Sequence, residues 1–302
     1  MKIFLLAIVV FLSVGNSIAQ PSDGLRQING TQLYVRTIGE GEPLLIVHGG
    51  PGMNLSYFMP HLDALSKKFK IVLYDQRASG RSAIPSSDSI SLKFFADDID
   101  AIRKYLGVDK INLLGHSWGA IPVVAYGLQY PLKVKKIILC NPVPLNKEFD
   151  QEMGNNQKSK LTKQDSTDRA TILASADFKA SKPDAYKQLL MLAFKHSFFT
   201  PSNIKKLNFE MPDNYLKASQ ALFTGLTPDL TTYDYYSSIK AFSFPVLILH
   251  GNADAIPLSA VTKMQSSIPN SSLEVFQKSG HFIFIDESAK FRSSVEKFLT
   301  HN

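Results

Sequence analysis

The sequence predicts an α/β fold in which a mostly parallel central sheet has helices on both faces and carries a helical insertion. Two observations lead to this prediction. Five continuous apolar runs, PLLIVHG, KIVLYDQ, INLLGHS, KKIILCN and PVLILHG, have the pattern of strands buried on both faces. Helix-length amphipathic segments separate the first four runs, as expected when helices connect parallel strands.

Length, composition and charge are those of a soluble globular protein. The chain has 302 residues, of which 44% are hydrophobic and 20% charged, which suits one large domain with an insertion. The formal net charge is +7, but the lysines are scattered along helical stretches without a basic run. We therefore predict no nucleic-acid partner. The single cysteine, Cys140, excludes an intrachain disulfide and is expected to be a buried thiol.

The first twenty residues, MKIFLLAIVVFLSVGNSIAQ, have the pattern of a secretory leader. Lys2 precedes an apolar stretch over residues 3–14, and Ser17 and Ala19 occupy the −3 and −1 positions of a cleavage site. The stretch is short for a membrane span of ~30 Å, although an uncleaved anchor is the alternative. We expect residues 1–19 to be removed, which leaves an exported chain, periplasmic or extracellular, without stable membrane association.

The remaining elements follow in order. LRQING and TQLYVRTIG flank Asn29-Gly30 and predict a β-hairpin. Helices are predicted around residues 57–67, 91–106, 120–130 and 288–299. Residues 143–240 lack apolar strand runs and predict a helical cap over the carboxyl edge of the sheet, where ligands of α/β proteins bind. The core is then formed by residues 20–142 and 241–302, and its sheet ends with SSLEVFQKSG.

The segment NLLGHSWGA contains the candidate nucleophile, Ser117. A side chain held on a sharp strand-to-helix turn needs small residues two positions before and after it, and Gly115 and Gly119 meet that need. The alternative is a tight turn without chemistry. The turn also places the Trp118 amide at a helix N-terminus, where negative charge is favoured.

A serine hydroxyl needs a base to accept its proton, and His281 is the candidate. Ser279 and Gly280 place His281 in a loop after the last strand. The other six histidines lie beside the nucleophile, in helical segments, at strand ends or in the tail: His48, His61, His116, His196, His250 and His301. A packing role is the alternative for His281.

Asp254 is the candidate acid, because VLILHGNAD places it in the loop after the preceding strand. Asp286 competes, but the segment IDESAKF is typical of a helix N-cap. The order Ser117, Asp254, His281 is the chain order of one known Ser-His-Asp arrangement. A second oxyanion donor is expected from VHGGPG, where Pro51 has no N–H and Gly50 is our choice.

Five segments resemble the α/β-hydrolase superfamily, and within it the proline iminopeptidase-like serine peptidases. They are HGGPG at 48–52, DQRASGRS at 75–82, GHSWGA at 115–120, GNAD at 251–254 and SGH at 279–281. The resemblance covers nearly the whole mature chain except the cap. It implies the α/β-hydrolase fold, a triad of Ser117, Asp254 and His281, and oxyanion donors Gly50 and Trp118.

Two departures from the family pattern concern the loops around the site. Ala78 stands where the family usually has glycine, in a loop that we expect Asp75 and Arg77 to shape by pairing. The family's aminopeptidases bind a free amino group with cap acids, one of them in a segment resembling ANEVF. The nearest match here, ASQALF, has neutral Gln220. The candidate replacements are Glu210, Glu148 and Glu152, although solvated helix faces explain them equally well.

These features predict a serine hydrolase that needs neither metal nor cofactor and forms an acyl-enzyme on a small-molecule or short-peptide substrate. The resemblance specifies an aminopeptidase that releases an N-terminal residue such as proline. A carboxylesterase or lactonase acting on small acyl esters is the alternative, and a ligand-binding protein without catalysis is a remote one.

Overall fold

The computed structural model describes residues 22–301, so the predicted leader lies outside the described residues. Eight strands form one sheet in the order β1-β2-β4-β3-β5-β6-β7-β8. The pairs β1–β2 and β2–β4 are antiparallel, and all other pairs are parallel. The strands are β1 Ser22–Ile28, β2 Thr31–Ile38, β3 Glu42–Val47, β4 Phe69–Tyr74, β5 Ile111–His116, β6 Val134–Cys140, β7 Val246–Gly251 and β8 Ser271–Phe276. The predicted fold class is confirmed.

Ten α-helices accompany the sheet in the described part of the chain. They are α1 Leu92–Tyr105, α2 Ala120–Gln129, α3 Asp150–Ser159, α4 Lys163–Ala174, α5 Ala176–Lys179, α6 Pro183–Phe194, α7 Tyr215–Thr232, α8 Leu258–Ser267, α9 Ile283–Asp286 and α10 Ser288–Thr300. The helix predicted over residues 57–67 is instead two short 3-10 helices, Leu55–Phe58 and Asp63–Lys67. Pro60 lies between them and has no N–H with which to continue a helix.

Local sequence explains where several elements begin and end. Asn29 and Gly30 have φ values of 47° and 73°, which lets a two-residue turn join β1 to β2. The Ser91 hydroxyl caps α1 by accepting a hydrogen bond from the Phe94 amide at 3.4 Å. Residues 92–105 then bury an apolar face that includes Phe95.

Apolar side chains pack on both faces of the sheet. On one face, residues of α1, α2 and α8 such as Phe95, Val124 and Met264 form one cluster with the strands. On the other face, α10 contributes Phe291 and Val295. Because both faces are covered, most positions of the central strands β3 to β7 are apolar, as their continuous runs predicted.

Residues 143–240 contain α3 to α7 and no strand in the structure. This segment meets loops at the carboxyl ends of the strands. Asn54, after β3, donates to the Glu210 carbonyl at 2.7 Å, and Asn156 donates to the Ala255 carbonyl, after β7, at 3.1 Å. The helical segment therefore lies over that edge of the sheet. Among residues 22–301, no helix combines the length and apolar character needed to cross a membrane.

Candidate active site

Ser117 lies at the sharp turn between β5 and α2. Its φ of 56° is a left-handed conformation that costs a residue other than glycine about 1 kcal/mol or more. Its side chain is half-buried and lines a cavity under the cap. A strained serine that opens a helix after a buried strand is the geometry of a nucleophile elbow.

Three glycines allow the chain to pack closely around this turn. A Cβ on Gly115 would lie 2.6 Å from the Gly119 carbonyl oxygen, and one on Gly119 would lie 2.3 Å from the carbonyl oxygen of Val47. A Cβ on Gly49 would lie 2.9 Å from Cβ of Ser117. A side chain at Gly115 would distort the turn itself, and one at Gly119 or Gly49 would separate the turn from the end of β3 or from the loop after it.

His281 and Asp254 form a hydrogen-bonded pair at the same edge of the sheet. Nδ1 of His281 lies 2.8 Å from Oδ2 of Asp254, so the carboxylate accepts the Nδ1 proton. Burial raises the pKa of Asp254, but the nearby charge and hydrogen bond of His281 outweigh burial and hold that pKa below its usual range. The carboxylate therefore stays ionised and directs Nε2, the other ring nitrogen, to act as the acceptor.

Asn141 joins this pair and was not identified from the sequence. Its Nδ2 donates to Oδ2 of Asp254 at 2.6 Å and to the carbonyl oxygen of Gly280 at 3.2 Å. It is wholly buried, and its φ of 46° is left-handed. Its place directly after β6, in the run KKIILCN, is a signal that could have revealed it, because polar residues at carboxyl strand ends meet at one edge.

Ser117 and His281 line one cavity of about 250 Å³, here called the serine cavity. The core contributes the segment 49–53, His116 and Phe282 to its wall. The cap contributes Leu190, Phe194, Tyr215 and Phe223. Among the described residues, no aspartate or glutamate lines the serine cavity.

Gly50 and Trp118 present backbone amides beside the serine. Gly50 lines the serine cavity, and within residues 22–301 its amide donates no hydrogen bond, whereas the Gly49 amide donates to Tyr57 Oη at 2.6 Å. Trp118 lies in the 3-10 turn 117–119, which no described side chain caps. First-turn amides lack helical partners, so both positions suit a developing negative charge.

Two buried histidines support the loops and stay neutral. Burial lowers the pKa of His48 to about 4, and its Nε2 accepts a hydrogen bond from the Gln76 amide at 3.0 Å. Burial, with the charge of His281 second, lowers the pKa of His116 to about 3. Neither side chain is placed to receive the serine proton, since both ring nitrogens of each have other partners.

The structure does not bring the predicted amine-binding residues to the serine cavity. Gln220 is on the exposed face of α7. Glu210 forms an ion pair with Arg81 at 2.7 Å. Glu148 is exposed and pairs with Lys263. Glu152 is also exposed, and it accepts a hydrogen bond from the hydroxyl of Ser259, on α8, at 3.2 Å. Neither Gln220 nor Glu210 therefore lines the serine cavity, and their role at the substrate stays a prediction.

Glu210 lines a second cavity of about 250 Å³, here called the arginine cavity. Its polar wall includes Tyr34, Arg36, Asn54, Ser56, Asp75 and Arg81. Burial raises the pKa of Asp75 to about 6, although hydrogen bonds from the Arg81 and Leu55 amides oppose the rise. The arginine cavity is thus charged, whereas the serine cavity is mainly apolar.

The expected pairing of Asp75 with Arg77 is wrong. Arg77 is wholly buried and donates from Nε to Oδ2 of Asp98, on α1, at 2.8 Å. Asp98 is also wholly buried and needs a cation, whereas the two Asp75 oxygens are occupied by backbone amides. Ala78 adopts a φ of 54°, so it occupies a conformation that suits the family's glycine better.

Asp286 is not the expected helix N-cap. It ends α9, and α10 has no side-chain cap. Oδ2 of Asp286 accepts from the Gly280 and Phe199 amides at 2.9 Å each. Asp286 therefore ties the cap to the loop before His281 and does not contact the imidazole. Within the described residues, no group of three or more His, Cys, Asp or Glu could hold a metal ion.

Comparisons with known proteins agree with this geometry. Residues 42–288 match a family model described as alpha/beta hydrolase fold. A proline iminopeptidase of Lactobacillus delbrueckii subsp. bulgaricus is 29% identical over 288 residues, which cover 89% of this chain and 94% of that protein. Another, from Lactiplantibacillus plantarum, is 28% identical over 291 residues, with 90% and 98% covered.

Solved structures share the fold. A proline iminopeptidase from Mycobacterium smegmatis has a TM-score of 0.68 and 20% identity, with 92% of this chain and 97% of that chain covered. The esterase EaEST from Exiguobacterium antarcticum has a TM-score of 0.67 and 22% identity, with 92% and 99% covered. The predicted resemblance is confirmed, and the proteins that it points to are hydrolytic enzymes.

Proposed function

Because the chain belongs to the α/β-hydrolase fold family, we propose that it is a serine hydrolase that cleaves esters of uncharged, apolar acyl groups through an acyl-enzyme. The hydrolase assignment is supported by the family and by the enzymes that the chain resembles. The ester preference is our inference from the wall of the serine cavity.

The proposed reaction uses five residues. Ser117 Oγ attacks the ester carbonyl carbon, and Nε2 of His281 takes the hydroxyl proton. The Gly50 and Trp118 amides donate to the oxyanion of the tetrahedral intermediate. The intermediate collapses, the alcohol leaves with the proton from His281, and the acyl group stays on Ser117. A water molecule then gives a proton to Nε2 of His281 and attacks the acyl carbon. The second tetrahedral intermediate breaks its bond to Ser117 Oγ, which takes the proton back from His281, and the carboxylic acid leaves. Asp254 stabilises the imidazolium in both half-reactions.

The observation on which the ester preference rests is the absence of a carboxylate from the described wall of the serine cavity. A protonated amino group that leaves water needs a negative partner. The cap instead presents side chains that are mainly apolar, Leu190, Phe194 and Phe223, with the phenol of Tyr215. Such a wall favours a neutral acyl group over an α-ammonium group.

The test compares a proline arylamide, its N-acetyl form and a series of short-chain acyl esters. Turnover of the two arylamides within about tenfold of each other, a difference of ~1.4 kcal/mol, is expected if the amine has no partner. The acyl esters should react fastest. A preference of about a thousandfold for the free amine would contradict the ester proposal.

A matched pair of variants sharpens this test. Leu190→Glu places a carboxylate on the wall, and Leu190→Gln places an uncharged side chain of similar size there. We expect only Leu190→Glu to increase the preference for the free amine, by about tenfold or more. Equal preferences in the two variants would show that charge on the wall does not control selection.

Release of N-terminal proline is the second candidate, and it is favoured by the similarity to proline iminopeptidases over most of the chain. It requires a negative partner for the protonated proline nitrogen, and no carboxylate lines the described wall of the serine cavity. The arylamide comparison decides between the two candidates, since only an aminopeptidase discriminates strongly against the acetylated substrate.

We also propose that the protein acts outside the cytoplasm, in the periplasm or the extracellular space. The support is the leader pattern of residues 1–19, with cleavage after Ala19. Expression in a secreting bacterium should give a mature chain that begins at Gln20. Intact mass of the exported protein checks this, and a retained Met1 would contradict it.

A further inference from the structure

A chain of hydrogen bonds crosses the buried layer behind the serine cavity. The Gly49 amide donates to Tyr57 Oη at 2.6 Å, and Tyr57 Oη lies 2.9 Å from Nδ1 of His116. Nε2 of His116 lies 3.0 Å from the carbonyl oxygen of His281. Tyr57 and His116 are both wholly buried. Two side chains thus connect the loop after β3 with the loop after β8.

The direction of each hydrogen bond follows from its chemistry. A carbonyl oxygen only accepts, so Nε2 of His116 must bear the proton that it donates to His281. Burial lowers the pKa of His116 to about 3, so the ring is neutral at pH 7 and its Nδ1 has a free lone pair. The Tyr57 hydroxyl therefore donates to Nδ1 and accepts from Gly49. Each donor in this series of hydrogen bonds, from Gly49 to His281, therefore has one acceptor.

Both ends of the chain belong to groups in the proposed reaction. Gly49 directly precedes Gly50, the proposed oxyanion donor, and is so close to Ser117 that a Cβ would lie 2.9 Å from the serine Cβ. At the other end, the accepting carbonyl belongs to His281, the proposed base. A change in the lengths of these hydrogen bonds would alter the spacing between the oxyanion donor and the base.

We propose that Tyr57 and His116 are positioning residues that hold Gly50 and His281 at the spacing the reaction requires. The inference rests on the proposed serine hydrolase function. Loss of the Tyr57 hydroxyl would leave the Gly49 amide and Nδ1 of His116 without partners in a buried layer. Aromatic rings pack around the pair: Phe58, Phe282 and Phe284.

The kinetic test uses Tyr57→Phe, with Tyr126→Phe as the matched control. Tyr126 is also wholly buried, its hydroxyl donates to Asp100 at 3.4 Å, and it does not line the serine cavity. For an acyl ester, we expect Tyr57→Phe to lower kcat by about tenfold to a hundredfold while KM changes little. Affinity for a boronic acid, which forms a tetrahedral adduct with the serine, should fall in parallel, and affinity for the product carboxylate should not. Tyr126→Phe should affect only stability.

A kcat for Tyr57→Phe equal to that of Tyr126→Phe would overturn the proposal. So would an equal loss of affinity for the boronic acid and the carboxylate, because a merely structural role would weaken both. Labelling of the wild-type protein with a fluorophosphonate probe, which reacts with nucleophilic serines, separates this failure from failure of the proposed function, because only the latter leaves Ser117 unlabelled. If Ser117→Ala keeps full turnover, the serine mechanism is wrong irrespective of Tyr57.

A second measurement needs no variant that must remain active. Nitrogen-15 NMR of the wild-type protein reports which ring nitrogen of each histidine bears a proton, and His116→Gln assigns the His116 signals by their loss. We expect His116 to be the neutral Nε2–H tautomer throughout pH 5 to 8. An Nδ1–H tautomer, or titration in this range, would overturn the hydrogen-bond chain even if Tyr57→Phe failed to fold.

Discussion

The serine cavity and the arginine cavity each have a volume of about 250 Å³, but their walls differ in chemistry. The serine cavity joins the proposed nucleophile and base to apolar cap side chains. The arginine cavity joins two arginines, Arg36 and Arg81, to two carboxylates, Asp75 and Glu210. Arginine and carboxylate side chains therefore line the arginine cavity, and neither kind lines the described wall of the serine cavity.

The difference matters because Glu210 is one of the three candidate replacements for the family's amine-binding cap acid. The structure pairs it with Arg81, and its backbone amide donates to Ser56 Oγ at 2.9 Å. Glu210 thus pairs with a cation of the arginine cavity and does not line the cavity around Ser117. The presence of acids in a cap therefore does not by itself indicate an aminopeptidase.

The largest expected effect is on kcat, and it distinguishes a serine of the serine cavity from one of the arginine cavity. Ser117→Ala should lower kcat by ~10³-fold or more, because a triad without its nucleophile loses the covalent step. A fluorophosphonate probe should label wild-type Ser117 alone, as mass spectrometry of peptides can verify. Ser56→Ala, in the arginine cavity, is the control and should keep both labelling and turnover. Labelling that persists in Ser117→Ala would contradict the assignment.

The buried histidines and Asp75 should have opposite effects on how stability changes with pH. His48 and His116 have folded-state pKa values of about 4 and about 3 against an ordinary 6.5, so between pH 4 and 6.5 the unfolded chain binds more protons and stability rises with pH. Asp75 has a folded-state pKa of about 6 against 3.8, so between about pH 4 and 6 the folded chain binds the extra proton and stability falls with rising pH.

Urea unfolding at several pH values between 4 and 6 checks this opposition. Asp75→Asn removes the opposing group, so its free energy of unfolding should rise with pH more steeply than that of the wild type, by about 1.4 kcal/mol per pH unit. His116→Gln should instead make the rise less steep by a similar amount. The same slope in Asp75→Asn and wild type would show that the Asp75 carboxyl titrates alike in both states.

Truncation of an apolar side chain should change KM for an acyl ester only when that side chain lines the serine cavity. Phe194→Ala removes a ring that packs against Phe282 at a centroid distance of 5.4 Å, so it should raise KM for an apolar acyl ester by about tenfold. Met211→Ala, in the arginine cavity, is the matched truncation and should leave KM unchanged. Equal effects in the two variants would mean that Phe194 acts through stability of the cap rather than contact with the acyl group.

The smallest expected effect comes from the ion pair of the arginine cavity. The Arg81 and Glu210 side chains are 52% and 54% exposed, so Glu210→Gln should lower the free energy of unfolding by less than about 1 kcal/mol. The rate ratio for free and acetylated proline arylamides should not change. A tenfold change in that ratio would place Glu210 at the substrate and revive the aminopeptidase alternative.

Sequence patterns predicted much of the fold because the apolar runs and helix caps are local signals. The strands β3 to β7 coincide with the five apolar runs, and Ser91 begins α1 as its capping chemistry suggests. The same runs end directly before the loops that contain Ser117 and Asp254. Parallel strands bring their carboxyl ends to one edge, so a set of candidates at strand ends could be named before the structure was known.

By itself, the sequence determined the fold class, the order of the strands along the chain and the candidates Ser117, Asp254 and His281, because each depends on residues that are neighbours in the chain. Only the tertiary structure decided the partners of Asp75, Arg77 and Glu210, the hydrogen-bond chain through Tyr57 and His116, and the apolar wall of the serine cavity. Those contacts join residues that are far apart in sequence. Their choice depends on which buried charge lacks a partner and which helix face meets the core, and no local pattern encodes either.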